Sequence, residues 1–434
     1  MSGVWEISAL AFAGVFGLMM LGMPIAFAML LIGLGGIWLS ISERTAMGMI
    51  GQLPFNATMS YELSVLPMFI LMGVLVTRAR MSQDLYRLCH GFVGHRRGGL
   101  ASATILACGG FSALSGSSIA TAATMAKVAI PEMRRYGYSD GLAASAVAAG
   151  GTLGILIPPS VILVLYGIAT GTDIGMLFIA GIVPGVLAIV LYLAVVSIMA
   201  RLQPDSAPAA PKVPWSERFR YLGSVGPILL LFILIIGGLY QGVFTPTEAG
   251  GVGATGALFF ALWRRTLSFR AFIDSLVETV TTTASLFLVL IGALVFSNFI
   301  NLIGLPGALS DLIRSLGLPP LSVILLILLI YFILGMFMES LSMILLTIPI
   351  FFPIVVELGF DPIWFGIFAV MVTELSLVTP PVGLNLFVIR SVIGNISIGA
   401  IYRGIVPFIL ADVVRILLII AFPALVLFLP MSAG

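Results

Sequence analysis

Two pairs of adjacent prolines interrupt long apolar stretches of this chain. The first pair is Pro158-Pro159, and the second, 222 residues later, is Pro380-Pro381. A proline inside a helix removes a backbone hydrogen bond and collides with the preceding turn. At membrane depth the freed backbone groups must be buried in protein or line a wet cavity. The two pairs therefore predict two broken helices, which in paired form indicate a transport site.

The composition places these breaks in a membrane. The chain of 434 residues is 60% hydrophobic and 9% charged, with a mean hydropathy of +1.20, whereas a soluble protein carries about 25% charged residues. Continuous apolar runs such as Leu321–Phe337 favour helices over an alternating β-barrel pattern. We therefore predict an all-α polytopic protein in a lipid bilayer. The net charge of +2 gives no indication of a nucleic-acid partner.

The offset between the proline pairs extends to other landmarks. Pro131 corresponds to Pro353, and Gly137 to Gly359, at the same spacing of 222 residues. A Gly-Ile-Val-Pro segment recurs at a spacing of 223. These correspondences predict two structural repeats.

The distribution of charge predicts that the second repeat is inverted. Loops rich in Lys and Arg remain in the cytoplasm. Residues 78–97 carry five arginines, whereas their counterparts, 298–318, carry Arg314 and Asp311. Conversely, residues 264–270 of the second half carry three arginines where the first half has one. Each half then contains about five transmembrane helices plus a re-entrant hairpin and a Pro-Pro broken helix, with both termini in the periplasm.

This topology divides the chain into a first repeat (1–200), a cytoplasmic linker (201–220) and a second repeat (221–434). Each repeat has a scaffold part, a part with hairpin and broken helix, and a last helix. These parts are predicted at 5–97, 98–172 and 174–200 in the first repeat, and at 221–318, 319–390 and 396–428 in the second.

Oxygen-bearing residues cluster at the predicted hairpin tips and breaks. Hydroxyls and backbone carbonyls are hard ligands that suit a small cation such as sodium, although close helix packing by small residues is the alternative. The first candidate site comprises Ser115, Gly116, Ser117, Ser118, Gly151, Thr152 and Pro158. The second comprises Gly335, Glu339, Ser340, Thr373, Thr379 and Pro380.

Two carboxylates and the helices after the breaks suggest further roles. Glu339 and Glu374 lie in transmembrane segments, where an ionisable group is by default a functional candidate. Ion coupling and capping of helix N-termini both remain open for them. The positive end of each helix after a break can attract an anion. Candidate substrate contacts are Ser160, Gly383 and Asn385.

Catalysis has little support in the sequence. The chain has only two histidines and lacks a metalloprotease motif and a phosphate-binding loop. An intramembrane serine enzyme would need Lys127 as its base, because no other candidate lies near the first tip. An ATP-driven pump would need a phosphate-binding loop, so an ion gradient or another subunit must supply the energy. A channel or structural subunit is a further alternative.

The motifs together resemble the large membrane subunit (M subunit, DctM-like) of TRAP (tripartite ATP-independent periplasmic) transporters over essentially the whole chain. The matching segments are 110–118, 130–133 with 137–138, 154–160, 66–73, 244–249 and 378–385.

The resemblance implies an elevator mechanism, in which a transport domain with both hairpins and both broken helices slides against a scaffold of the remaining helices. It implies sodium as the coupling ion, with no other cofactor, and a bacterial inner-membrane location. It also implies a periplasmic substrate-binding protein, a small four-helix membrane subunit, here expected on a separate chain, and a small organic anion of the carboxylate or sulfonate class. A sodium-coupled dicarboxylate carrier that works without a binding protein is the alternative.

Overall fold

The chain folds entirely into helices in the part that the structure describes. A computed structural model describes residues 2–433 and contains twenty α-helices and no β-strand within that range. Six of these helices are long and apolar enough to cross a membrane, or seven if one bent pair is a single span. This confirms the all-α polytopic membrane fold that composition predicts.

The first half contains ten α-helices. They are α1 (Ser2–Met20), α2 (Ile25–Ser40), α3 (Glu43–Met59), α4 (Val65–Arg78), α5 (Met81–Val93), α6 (Gly99–Ser115), α7 (Ser118–Arg135), α8 (Asp140–Thr152), α9 (Val161–Thr170) and α10 (Ile174–Leu202).

The second half contains the other ten. They are α11 (Trp215–Tyr240), α12 (Pro246–Trp263), α13 (Phe269–Leu302), α14 (Leu305–Ser315), α15 (Pro320–Gly335), α16 (Ser340–Glu357), α17 (Pro362–Leu377), α18 (Leu384–Ile393), α19 (Ile398–Ala421) and α20 (Ala424–Ala433). Helix α11 begins inside the range assigned to the linker, which leaves residues 203–214 between the two long helices.

The order of the elements is similar in the two halves. In each, two helices lead to a crossing, a short amphipathic helix, a helical hairpin, a broken helix and a long helix. The crossing differs, because α3 and α4 are bent by 62° at residues 60–64 whereas α13 is continuous over 34 residues. Helix α3 was not expected from the sequence. The inverted direction of the second repeat stays a prediction.

Both proline pairs break a helix as predicted. The first break follows α8 and includes a short 3-10 turn, Leu153–Ile155, before an irregular stretch to Ser160. The second separates α17 from α18 at residues 378–383. Both Pro–Pro peptide bonds are cis.

The helices pack in two groups. The outer group consists of α1–α4 and α11–α13, in which α2 packs along α13 and α4 along α12. The hairpin group consists of α6–α9 and α15–α18. Helices α10 and α19 pack against this second group, since α10 contacts α6, α9 and α17, and α19 contacts α8 and α17.

Candidate functional site

The first hairpin tip lies directly against the first broken helix. Gly116 ends α6 in the left-handed conformation (φ +60°), and a Cβ there would lie 3.1 Å from the carbonyl oxygen of Pro159. A Cβ on Gly154 would lie 2.5 Å from the carbonyl oxygen of Ser117. The two glycines allow backbone to approach backbone, so carbonyl oxygens of the tip and of the break converge. The assignment of a sodium ion to this place stays a prediction.

Hydroxyl groups surround the first tip. The hydroxyls of Ser115 and Thr121 are 2.6 Å apart, which joins the end of α6 to the start of α7. Ser117 is the N-cap of α7 and accepts a hydrogen bond from the backbone N–H of Ala120 at 3.3 Å. Thr121 is fully buried and was not singled out from the sequence. The tip therefore presents several oxygen atoms between the end of α6 and the start of α7.

The second hairpin also lies close to its broken helix. A side chain at Gly335 would overlap Ser376 of α17, so α15 and α17 meet closely at this glycine. Glu339 stands at the N-cap position of α16, and its carboxylate accepts a hydrogen bond from the Ser342 hydroxyl at 3.3 Å. The backbone N–H groups of Leu341 and Ser342 in the first turn of α16 lie beside this carboxylate, so helix capping and ion coupling both stay open for Glu339.

The two halves meet through the first tip and the second break. The Ser118 hydroxyl donates to Oδ1 of Asn385 at 3.4 Å, a contact between residues 267 positions apart. Asn385 is fully buried on α18, which packs against α7 and α8. Within residues 2–433 its side-chain nitrogen has no hydrogen-bond partner. The predicted substrate contact Asn385 thus reaches the first candidate ion site.

Residues of both hairpin tips line one cavity of about 690 Å³. The outer helices α4 and α13 form one wall, and the tips form the other. Six predicted site residues line it: Ser115, Gly116, Ser117, Ser118, Glu339 and Ser340. Ten others are not among its lining residues: Gly151, Thr152, Pro158, Ser160, Gly335, Thr373, Thr379, Pro380, Gly383 and Asn385.

The structure assigns local contacts to the remaining substrate candidates. Ser160 is the N-cap of α9, where its hydroxyl donates to the Ile155 carbonyl at 2.5 Å and accepts from the Leu163 N–H. Gly383 precedes α18 in the left-handed conformation (φ +63°), close to Leu386 and to the Thr379 carbonyl. Both positions shape the breaks, and their contact with an anion stays a prediction.

The threonines of the two sites orient their hydroxyls in the same way. Thr152, Thr373 and Thr379 each donate to a carbonyl three or four residues earlier, at 2.6–2.7 Å. Because the proton is engaged within the helix, the oxygen lone pairs remain available as acceptors. Hydroxyls held this way can serve as oxygen ligands of a cation, and their role in the two sodium sites stays a prediction.

Glu374 belongs to a buried charge network. Its carboxylate accepts from Arg415 at 2.6 Å, and Arg415 also contacts Asp412 at 2.9 Å. The Tyr192 hydroxyl donates to Asp412 at 2.7 Å and lies 3.4 Å from the Thr152 hydroxyl. Removing one partner from a buried ion pair costs about 3–5 kcal/mol. The network therefore ties α8, α10, α17 and α19 into one unit.

Several cavity residues carried no functional assignment from the sequence. Thr77, Arg78, Glu278 and Thr282 lie on α4 and α13, far from the tips along the chain. Arg78 and Glu278 form an ion pair at 3.3 Å. A charge in a transmembrane helix is a signal that could have drawn attention to Glu278.

Comparison with known proteins decides the family. The family model described as "Tripartite ATP-independent periplasmic transporter, DctM component" matches residues 12–425. The chain belongs to this family. The family consists of transporter permease subunits, so the chain is not an enzyme. The resemblance inferred from the motifs is confirmed.

Relatives of the TRAP permease family extend over most of the chain. The chain is 40% identical over 381 residues to the C4-dicarboxylate TRAP transporter large permease protein DctM of Pseudomonas aeruginosa. This match covers 88% of the chain and 88% of the relative. The chain is also 34% identical over 418 residues to the sialic acid TRAP transporter large permease protein SiaM of Vibrio cholerae, covering 96% of this chain and 97% of the relative.

The fold is similar to that of a solved transporter structure. The YdaH transporter of Alcanivorax borkumensis, described as having an unusual topology, superposes with a TM-score of 0.65. The comparison covers 87% of this chain and 89% of the other, at 15% sequence identity. At 15% identity the similarity supports a shared fold and nothing about function.

Proposed function

We propose that this TRAP permease performs sodium-coupled uptake of a small organic anion of the carboxylate or sulfonate class. The observation that carries the proposal is the convergence of both hairpin tips on one cavity, with Ser118 of one half bonded to Asn385 of the other. An anion in this cavity would lie beside both candidate sodium sites. Binding of the ions and of the anion would then favour each other electrostatically.

The donor set supports sodium as the coupling ion. In the first site, Ser115 and Ser117 would contribute hydroxyls, and the backbone around Pro158 would contribute carbonyls. In the second site, Thr373 and Thr379 would contribute hydroxyls, beside Glu339 and Ser340. These are uncharged or singly charged oxygen ligands, as a hard monovalent cation requires.

The class of substrate follows from the relatives and the site. The names of curated relatives give C4-dicarboxylate, sialic acid and isethionate as the substrates of those proteins. All three are anions at neutral pH. Helices α9 and α18 begin at the two breaks, and their N-termini carry positive partial charge.

An elevator movement accounts for the two packing groups. The hairpin group, together with α10 and α19, would move as a transport domain against the outer group. Assigning α10 and α19 to the moving domain departs from the division that the resemblance implies. The buried network of Tyr192, Asp412, Arg415 and Glu374 supports the change, because it ties both helices to the breaks.

The proposal includes two partners and a location. A periplasmic binding protein would deliver the anion, and a small four-helix membrane subunit would complete the outer group. The protein would reside in the bacterial inner membrane with both termini in the periplasm.

Reconstituted uptake tests the function. The permease is placed in liposomes with its small subunit and binding protein, and entry of the labelled anion is followed under an inward sodium gradient. We expect rapid uptake with sodium and little with potassium. Equal uptake in both salts would refute sodium coupling. Equal uptake by the permease alone would favour a carrier that needs no binding protein.

A further inference from the structure

An ion pair on the outer group faces the hairpin tips across the cavity. Arg78 of α4 and Glu278 of α13 are 3.3 Å apart, and their side chains are 41% and 53% exposed. Both residues line the cavity that contains the two tips. Among its lining residues in the described part of the chain, Arg78 is the one Lys or Arg, whereas Glu278 and Glu339 are acidic.

Arg78 is within reach of the first tip. Helix α4 touches the tip at Gly73, where a Cβ would lie 3.0 Å from the Leu114 carbonyl oxygen and 3.3 Å from the Cα of Ser115. Arg78 is five residues further along α4, which places its Cα about 7.5 Å away along the helix axis and about 140° around it. Both residues nevertheless line the cavity. A guanidinium on a long side chain can span that distance back toward the cavity.

The ion pair is weak enough to exchange partners. A solvent-exposed ion pair contributes about 0–1 kcal/mol, so Glu278 holds Arg78 loosely. A guanidinium binds a carboxylate through two parallel hydrogen bonds, a geometry that lysine cannot match. An organic anion in the cavity can therefore replace Glu278 as the partner of Arg78.

We propose that Arg78 is a contact for a carboxylate group of the transported anion, and that Glu278 competes with the anion for it. This inference rests on the proposed function. Because Arg78 lies on the outer group, it contacts the anion only in the position of the hairpin group seen here. Competition from Glu278 keeps the contact weak and allows the anion to leave.

Ligand-induced stabilisation tests the role of the two residues. The purified permease is placed in lipid nanodiscs, and its thermal unfolding is measured over a range of succinate concentrations, with N-acetylneuraminate in parallel. For Arg78→Gln we expect about tenfold weaker binding, the effect of losing a charge-assisted contact. For Glu278→Gln we expect tighter binding, since the competing carboxylate is gone. Arg80→Gln removes a charge two residues away, outside the cavity lining, and should bind like the wild type.

The outcomes separate a binding role from a structural one. If the ion pair only joins α4 to α13, both single variants change the affinity for the anion in the same direction. The double variant Arg78→Glu with Glu278→Arg then restores wild-type affinity. Either result overturns the inference. Opposite changes, without rescue by the double variant, support it. If the anion stabilises Arg78→Gln as strongly as it stabilises the wild type, the inference is overturned while the proposed function stands. No stabilisation of the wild type by either anion counts against both.

Discussion

At the residue scale, the glycine of the first tip explains how two backbones can form an ion site. Gly116 has a left-handed conformation and also meets the Pro159 carbonyl, so it satisfies two separate requirements. Gly171 ends α9 with nearly the same conformation (φ +69°), but a Cβ there would meet no atom within 4 Å. Comparing substitutions at Gly116 and Gly171 therefore distinguishes the effect of backbone strain from the effect of contact with the break.

We predict that Gly116→Ala strongly reduces anion uptake, whereas Gly171→Ala leaves it near the wild-type level. Both variants pay the left-handed backbone cost of about 1–2 kcal/mol, but only Gly116→Ala pushes the tip away from Pro159. Uptake is measured in proteoliposomes and normalised to the amount of folded permease. Equal losses in the two variants would show that strain alone is responsible.

Sequence reasoning at this scale found the oxygen-rich tips but not the pairings across the fold. Serine and glycine at membrane depth are unusual enough to be recognised locally, as at Ser115 and Gly116. Arg415 contacts Asp412, three positions away on the same helix, a spacing that a helical pattern brings together by itself. Its contact with Glu374 depends on how α17 packs against α19, which no local pattern specifies.

At the scale of elements, the proline pairs were a dependable guide because proline acts on its own turn of helix. Both breaks occur where the pairs lie. Helix α3 was missed because Glu43, Arg44, Gln52 and Pro54 reduce the apolar character of its segment. Packing against α2 and α13 stabilises it in the fold, and a single-segment pattern does not contain that information.

Movement between elements can be tested with two ion pairs replaced by cysteines. Arg314 of α14, which lies in the scaffold part predicted at 221–318, pairs with Glu357 of α16 in the second hairpin. Arg134 and Asp140 instead join α7 to α8 inside the hairpin group at 2.7 Å. In a background without Cys89 and Cys108, we predict that a short thiol cross-linker between positions 314 and 357 blocks uptake. The same treatment at 134 and 140 should have little effect. Normal uptake with the first pair cross-linked would contradict the elevator movement.

At the scale of the whole molecule, two halves of one chain form one cavity. The repeat was predicted from the constant spacing of landmarks, and the similar order of elements agrees with it. The contact of Ser118 with Asn385 and the position of Arg78 opposite the tips needed the assembled helices, because these residues come from distant segments. The sequence therefore located the parts of the site, and packing determined which of them face the cavity.

The central claim is that sodium and the anion cross the membrane together through this cavity. The most direct test follows radioactive sodium and the labelled anion at the same time, in liposomes that contain the permease, its small subunit and its binding protein. We predict that sodium enters only when the anion is present, in fixed proportion to it, and that replacing Ser117 with tryptophan stops both fluxes. Anion entry without accompanying sodium would contradict the account.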